Sequence, residues 1–450
     1  MTAIQTIAEA SLALRQNRLT VAELLEQCLD RIDVWEDSIG AWVHIDREHT
    51  RHQAQQKDME LKNGYCRGPL HGIPLGIKDI IDVESMPTRA GSRVFPERPV
   101  SEITDAAVIE RLRHAGALFL GKSVTTEFAC FDPPETRNPW NVNHTPGGSS
   151  SGSAAAVAAG MCLGALGTQT GGSITRPASF CGVSSIKPTY GRVSVRGVVP
   201  VSFSLDHVGP MAKTVMDAAT LLSAMSGYDP VDPHNRQLPG LPLQFAPLSG
   251  EIKPRLGYLR GYFHDNSSTT MQKSMETMLT RLQQAGAQIM DIALPASFQD
   301  IHTMHRRVML SEMLCYHQKF FPARELDYQP GIRSLLQEAI TLSALDYADA
   351  NRHRRFFTRD MHTLIQSVDA ILTPATASSA PDCSTTGSPD FQSPWSYSGL
   401  PTVSFPIEIS STGLPLAVQI VGPYSQETEL IQLALWCEKQ IGFYASPSPT

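Results

Sequence analysis

The sequence has few charged side chains for its length, and its charge balance is acidic. Of 450 residues, 18 % are charged, and 37 Lys and Arg against 44 Asp and Glu give a formal net charge of −7. A hydrophobic content of 42 % with so little charge argues against a disordered chain. The acidic balance argues against a general nucleic-acid-binding protein, because such proteins cluster Lys and Arg to neutralise phosphates.

Long apolar runs and paired cysteines are also missing. The most apolar stretch, 154–166, is shorter than the roughly 18–20 residues that a membrane-spanning helix needs. Residues 1–5 show neither the basic nor the apolar part of a secretory signal. The eight cysteines include no C-x-x-C pair, so they predict neither a disulfide framework nor a zinc site. These absences predict a cytoplasmic protein without membrane contact.

The densest basic cluster lies at 352–355, with Arg359 one turn further on. The stretch has helical spacing, and Asp346, Asp349 and Asp360 lie close to it in sequence. We interpret the cluster as the solvated face of a helix, with RNA contact as the alternative.

Periodicity and turn residues divide the chain into helical and strand-like stretches. Residues 1–60 are predicted to be helical, and Thr20 to Glu23 matches a capping box. Further helices are predicted at 105–114, 211–225, 274–285 and 301–366, and a Pro-rich linker at 229–254. Strands are predicted near 77–83, 117–120, 370–374, 402–406 and 416–421. This order predicts one α/β domain over 1–450, with the helical region 233–368 packed as a cap over a sheet that closes late in the sequence.

Lys78 is a lone cation in the apolar run 73–83. Burial lowers the pKa of a lysine, and a neutral amine can act as a base near neutral pH. The alternative is a structural lysine at a strand end, paired with Asp79 or Asp82.

The segment 145–156 is rich in Gly and Ser and passes at once into an Ala run. A flexible linker is one interpretation; a tight loop that enters a helix is the other, and the abrupt Ala run favours it. Gly148 to Gly152 also matches G-x-S-x-G, the nucleophile elbow of α/β-hydrolases, with Ser150 as the nucleophile. That elbow needs a strand directly before it, and residues 138–144 make a poor strand.

A second glycine pair stands directly before Ser173. Gly171 and Gly172 permit a turn that aims successive N–H groups into one concavity, as an oxyanion hole requires. The alternative is an ordinary Gly-Gly turn between two elements.

Together the three segments resemble the amidase signature family, and in particular its free-standing bacterial amidases. The resemblance covers about 19–232 and 369–422, and it is weak between 233 and 368. Its matching stretches are GPLHGIPLGIKDIIDV, TDAAVIERLRHAGALFLGKSVTTEFA, RNPWNVNHTPGGSSSGSAAAVAAG, GTQTGGSITRPASFCGVSSIKPTYGRVS, GPMAKTVMDAATLLSAMSGYDP, LTPAT, YSGLPTVSFP and GLPLAVQIVGP. The resemblance implies a large central mixed β-sheet surrounded by helices, with the variable middle forming the substrate pocket.

The resemblance also implies a Ser–cis-Ser–Lys triad. Ser173 matches the nucleophile that becomes acylated, Ser149 matches the bridging serine with a cis peptide bond, and Lys78 matches the base. The N–H groups of Thr170, Gly171, Gly172 and Ser173 match the oxyanion hole, and Gly148 and Arg176 are candidate substrate-binding residues.

An amidohydrolase that cleaves C–N bonds of small amides through an acyl-enzyme is the implied function. Carbamates (urethanes), aryl acylamides and esters are further candidate substrates, and the mechanism needs no metal or organic cofactor. The implied partner is a small amide or carbamate, not a nucleic acid or a membrane, and a homodimer is left open. The alternatives are a glutamine-amidase subunit of a tRNA-dependent amidotransferase complex and a non-catalytic scaffold on the same fold.

Three positions depart from the family's common pattern. Gln169 stands where most members have Asp, and Thr175 stands where they have Arg, so that the arginine, Arg176, comes one residue later. This shifted form resembles free-standing amidases more than it resembles the amidase component of glutamyl-tRNA amidotransferase. For Arg176, contact with a substrate carboxylate and a structural salt bridge are both open.

Other polar residues are weaker functional candidates. His302 and His305 are spaced as a metal pair on a helix but lack a third ligand. Asp206 and His207 suggest a Ser-His-Asp arrangement that a lysine triad does not need. Methionines and phenylalanines of the middle are expected in the core, or as an apolar pocket lining: Met304, Met309, Met313, Phe320 and Phe321.

Overall fold

The computed structural model describes residues 4–248 and 253–449. The helices are α1 Ile7–Arg15, α2 Val21–Ile39, α3 Arg47–Lys62, α4 Ala107–His114, α5 Ser151–Ala158, α6 Thr175–Cys181, α7 Val215–Met225, α8 Thr269–Gln284, α9 Ile301–His317, α10 Phe321–Arg324, α11 Pro330–Thr341, α12 Ala344–Ile365, α13 Ser393–Ser398 and α14 Glu427–Ile441. The strands are β1 Trp42–Ile45, β2 Pro74–Lys78, β3 Leu118–Ser123, β4 Gly164–Gln169, β5 Ser184–Lys187, β6 His207–Ala212, β7 Arg255–Tyr258, β8 Gln288–Asp291, β9 Ala370–Pro374, β10 Thr402–Ile409 and β11 Pro415–Val421.

All eleven strands join one mixed sheet in the order β1-β3-β2-β4-β6-β5-β10-β11-β9-β7-β8. β2 is parallel to both β3 and β4, and β7 is parallel to both β8 and β9. The remaining neighbours are antiparallel. The predicted fold class, a large central mixed sheet surrounded by helices, is therefore confirmed.

The strands of the sheet's centre are buried along their whole length, since helices cover both faces. β2, β4, β5 and β6 are uniformly buried, and α5, α6 and α7 pack against these strands. Fully buried strands carry no alternation of polar and apolar residues, which is why Gly164–Gln169 gives no strand signal in the sequence.

At the N-terminus, the capping box is confirmed. The Thr20 hydroxyl accepts from the Glu23 N–H at 3.1 Å, and Glu23 Oε2 accepts from the Thr20 N–H at 2.8 Å. The expectation that 1–60 is helical is wrong at Trp42–Ile45, which forms the edge strand β1. Residues 1–3 lie outside the described part of the chain.

The middle of the chain differs from the expectation of helices alone. Helices fill most of 301–366 as predicted, and α9 packs against α11 and α12. Two short strands, β7 and β8, extend the sheet beyond β9, and the short length of each, four residues, hides it from periodicity. Met211 and Ala212, expected to begin a helix, end β6 instead.

The Pro-rich linker predicted at 229–254 forms no helix or strand in 229–248 and 253–254. Residues 249–252 of this segment lie outside the described residues. Among the helices that the structure describes, none is both long enough and apolar enough to cross a membrane.

Candidate active site

The sheet brings two of the sequence-predicted segments to one edge. β2 and β4 run parallel, with Ile77 opposite Leu166, so their carboxyl ends meet at the same side of the sheet. Lys78 is the last residue of β2, and the loop 170–173 follows β4 directly. The carboxyl edge of parallel strands is the usual position of a ligand site in α/β proteins.

Lys78 is fully buried and contacts hydroxyl groups, not carboxylates. Its Nζ lies 2.7 Å from Ser149 Oγ and 2.8 Å from Thr168 Oγ1. Burial lowers the pKa of Lys78 to about 7, against a smaller opposing effect of Asp206. Asp79, the partner in the structural alternative, pairs with Lys122 instead, at 3.1 Å. The lysine is thus half neutral near pH 7, with a serine hydroxyl in hydrogen-bonding reach.

Ser149 lies in a turn that leads into α5, and its peptide bond with Gly148 is cis. The preceding segment is a tight loop and not a free linker, since Ser151 Oγ donates to Gly147 O at 2.6 Å. Ser150, the serine of the G-x-S-x-G match, is fully buried; its Oγ accepts from the Thr168 N–H at 3.2 Å. No strand directly precedes it within the described range 4–248, as an elbow would require.

Gln169 holds the start of α6 and therefore the loop that carries Ser173. Its Oε1 accepts from the N–H groups of Ile174 and Thr175, both at 3.0 Å. Its Nε2 donates to Ser396 Oγ at 3.1 Å, and that hydroxyl donates to Gly171 O, also at 3.1 Å. A neutral amide here both accepts and donates, which a carboxylate cannot do.

The loop 170–173 leaves backbone donors free. Within 4–248 and 253–449, the N–H groups of Gly171, Gly172 and Ser173 donate to no acceptor. A Cβ on Gly172 would come within 2.4 Å of Gln392 Oε1, so any larger residue there would have to displace this buried amide. Unpaired N–H groups on a glycine turn are the arrangement that an oxyanion hole uses.

Two buried titratable groups hold Thr170, the first residue of this loop. The Thr170 hydroxyl donates to Asp206, whose pKa burial raises to about 6. His305 Nε2 donates to Thr170 O at 3.0 Å, and burial lowers the pKa of His305 to about 4, so the ring is neutral at pH 7. His305 therefore serves the loop and not a metal, and no cluster of metal-ligating side chains occurs among the described residues.

Ser173 is half-buried and lies on the wall of a cavity of about 220 Å³. The cavity is bounded by the loop 170–173 and by residues of α9 and of the segment 389–393. Met309 lines it, as one interpretation of the middle methionines expected, whereas Met313 is fully buried in the core. A cavity of this size suits a small molecule.

Arg176 is buried on the wall of the same cavity. Its Nη2 donates to Gly148 O at 2.7 Å, while Nε and Nη1 have no hydrogen-bond partner among the described residues. Burial lowers the pKa of Arg176 to about 10, and Asp390 opposes that shift, so the side chain stays charged at pH 7. No ion pair of Arg176 is formed within the described chain, which removes the structural salt bridge as its role. Two unpaired donors on a buried cation are suited to an anion from outside.

Several other sequence candidates lie apart from this chemistry. The His207 ring accepts from or donates to backbone groups beside the carbonyls of Leu205 and Gln169, at 2.6 and 3.3 Å. His302 contacts the Tyr262 hydroxyl at 2.9 Å on the far wall of the cavity. The carbonyl of Gly148 is occupied by Arg176.

Sequence reasoning missed the segment 389–396. Pro389, Asp390 and Ser393 line the cavity, and Ser396 supports the loop, but all come from a part of the chain more than 200 residues away. Thr168 was also missed, because a buried strand threonine gives no signal until its neighbour across the strand is known.

A model of the family described as Amidase matches residues 23–431 of the chain. Among curated relatives, the glutamyl-tRNA(Gln) amidotransferase component of Cereibacter sphaeroides that carries the letter A is 36 % identical over 489 aligned positions. These positions cover 98 % of this chain and 98 % of that one.

Solved structures agree with this match. The native peptide amidase of Stenotrophomonas maltophilia is 30 % identical, with a TM-score of 0.87 over 99 % of each chain. A chain from a vestigial protein complex that reveals the evolutionary origins of an s-triazine catabolic enzyme is 29 % identical. Its TM-score is 0.90, over 98 % of this chain and 100 % of that chain.

Proposed function

The chain belongs to the amidase family, and on this premise we propose that it is a single-domain hydrolase that cleaves C–N bonds of small amides. The proposal assigns Ser173 as nucleophile, Ser149 as bridge and Lys78 as base. The observation that carries it is the buried Lys78 amine, 2.7 Å from Ser149 Oγ. A cytoplasmic location is part of the proposal, and the eight free cysteines support it.

In the proposed mechanism, neutral Lys78 accepts the Ser149 proton while Ser149 accepts the Ser173 proton. Ser173 Oγ then attacks the carbonyl carbon of the substrate. The free N–H groups of Gly171, Gly172 and Ser173 stabilise the oxyanion. The relayed proton goes to the leaving nitrogen, and water hydrolyses the acyl-enzyme by the same relay.

We further propose that the preferred amide carries a carboxylate. Arg176 presents two unpaired N–H donors on a buried cation at the cavity wall, and a carboxylate would satisfy both. Dicarboxylic half-amides have this chemistry. Carbamates (urethanes), aryl acylamides and esters share the reacting carbonyl and remain candidate substrates.

The second candidate substrate is glutamine, with the chain as the amidase subunit of a tRNA-dependent amidotransferase. Asp390 lines the cavity together with Arg176, so the site offers one anion and one cation to the α-ammonium and α-carboxylate of an amino acid. The Cereibacter relative is named as one component of a glutamyl-tRNA(Gln) amidotransferase. That name supports this candidate and implies protein partners.

A third alternative is a non-catalytic scaffold on the same fold. The intact triad positions and the free donors of the loop 170–173 speak against it. Complete inactivity on every substrate below, alone and with amidotransferase partner proteins, would favour it.

The test is hydrolysis by the purified chain of aliphatic amides, anilides, half-amides, carbamates and glutamine. Activity on any of them is expected to disappear in both Ser173→Ala and Lys78→Met. Retained activity in either variant would refute the triad.

Asp390→Asn separates the two substrate candidates. For glutamine, the loss of a partner for the ammonium should raise KM. For a half-amide without an ammonium group, KM should stay the same or fall, because a nearby like charge has been removed. Arg176→Gln should raise KM for both, and an unchanged KM would refute carboxylate recognition by Arg176.

A further inference from the structure

A second cavity, of about 820 Å³, lies apart from the candidate active site and shares no lining residue with it. Its walls come from α12, from the loops around 190, 204 and 234–236, and from Gly399 and Tyr424. The basic cluster of the sequence analysis lies here. Arg354, Arg355 and Arg359 line the cavity together with Arg236.

The cavity carries a positive charge that the protein does not neutralise. Among the described residues, Arg236, Arg354 and Arg355 form no ion pair, while Arg359 pairs with Asp360 at 2.8 Å. The cavity lining, as far as the described chain forms it, includes no Asp or Glu. The cluster is therefore not simply a solvated helix face balanced by the neighbouring aspartates, as the sequence suggested.

Two of the arginines are held in place before any ligand arrives. The Arg354 guanidinium donates to Tyr397 O at 2.8 Å and to Ser204 Oγ and O at 2.9 and 2.7 Å. Arg236 donates to the Tyr424 hydroxyl at 2.8 Å and lies over the Tyr424 and Tyr190 rings at 5.7 and 5.6 Å. Donors fixed in this way lose little conformational entropy on binding.

Neutral donors and an unsatisfied buried atom add to the site. His362 Nε2 is buried and has no hydrogen-bond partner in the described residues. The hydroxyls of Thr358 and Thr363 come from the same helix and line the same cavity. Burying a polar atom without a partner costs free energy, which a bound acceptor would recover.

We propose that this cavity binds a phosphorylated small molecule. Arginines from α12 and from the 234–236 loop approach from different directions. A tetrahedral phosphate, with two charges and several acceptor oxygens, can use all of them, whereas one planar carboxylate engages a single guanidinium. The enclosure by Arg354 and Tyr190, together with the chain's net charge of −7, favours a small ligand over an RNA strand.

Calorimetric titration of the full-length protein with pyrophosphate, AMP, inorganic phosphate and citrate tests this proposal. Saturable binding of at least one phosphate compound is expected, at least tenfold tighter than citrate. The double variant Arg236→Gln/Arg355→Gln should weaken that binding at least tenfold, because each lost guanidinium removes charge-assisted hydrogen bonds.

Arg352→Gln is the matched control. Arg352 lies on α12 beside these residues, is largely exposed, pairs with Asp349 at 3.2 Å and does not line the cavity. It should change affinity less than twofold, and circular dichroism should show all variants folded.

Four outcomes would overturn the proposal: no saturable binding of any phosphate compound, equal or tighter binding of citrate, affinity that the double variant leaves unchanged, or binding of a single-stranded RNA oligomer alone.

Discussion

The pKa of Lys78, about 7, makes the pH profile of the proposed reaction a quantitative test of the lysine base. The neutral fraction of such a lysine is about 1 % at pH 5, about 10 % at pH 6 and about 90 % at pH 8. Burial is the cause of the lowered pKa, so neutralisation happens within the folded protein as pH rises. We expect kcat/KM to rise roughly 50- to 100-fold between pH 5 and 8 and then to level off.

Asp206 provides a variant with a defined sign. Its negative charge favours the ammonium form and so raises the pKa of Lys78, against the larger effect of burial. Asp206→Asn removes that charge and should move the rising limb of the profile to lower pH. The amide can still accept from the Thr170 hydroxyl and from the Val201 N–H, so the loop keeps its support.

The assay is kcat/KM from pH 5 to 9 with an uncharged amide, so that only groups of the enzyme titrate. Lys78→Met should lower kcat/KM by about 10²–10⁴-fold at pH 8, the usual contribution of a positioned base. A flat profile from pH 5 to 9, or a limb that moves to higher pH in Asp206→Asn, would refute the assignment of Lys78 as the titrating base.

Three further predictions concern the support of the site and the fold. Gln169→Ala should lower kcat at least tenfold with a small change in Tm, because two backbone donors at the start of α6 lose their acceptor; Gln169→Glu, which can still accept from both, should recover part of the activity, and equal kcat values would contradict this. Gly152→Ala should cost about 3 kcal/mol or more of stability, measured by urea unfolding, since its Cβ would lie 2.1 Å from Ala41 O; Gly240→Ala, with open space around it, should change little. Thr20→Ala should lower the free energy of unfolding by about 1 kcal/mol through loss of the capping box, and an unchanged urea midpoint would contradict this.

Local chemistry explains which parts of the molecule were predictable. The capping box at Thr20 and the apolar strand before Lys78 depend on neighbouring residues, and both occur where expected. The contact of Lys78 with Ser149 was reached through a family motif, since no local signal links residues 71 positions apart.

The missed parts depend on packing across the fold. β4, with the sequence GALGTQ, is small and polar for a strand, and its identity follows from burial between β2 and β6. Asp390 faces the site only because α13 packs against α9. The cationic character of the second cavity was likewise hidden, since Arg236 and Arg355 are far apart in sequence.

The place of the β10–β11 hairpin in the sheet has a consequence for biosynthesis. This hairpin joins β5 on one side to β9 on the other, so the strands β1–β6 and β7–β9 form two separate groups until it is made. At about 5–20 residues per second, a ribosome needs on the order of 10–40 s to go from β5 to β10. During that interval β5 is an unpaired edge, open to pairing with other chains. We therefore expect a chain that stops before Thr402 to aggregate, and the full chain to depend on holding chaperones while it is synthesised.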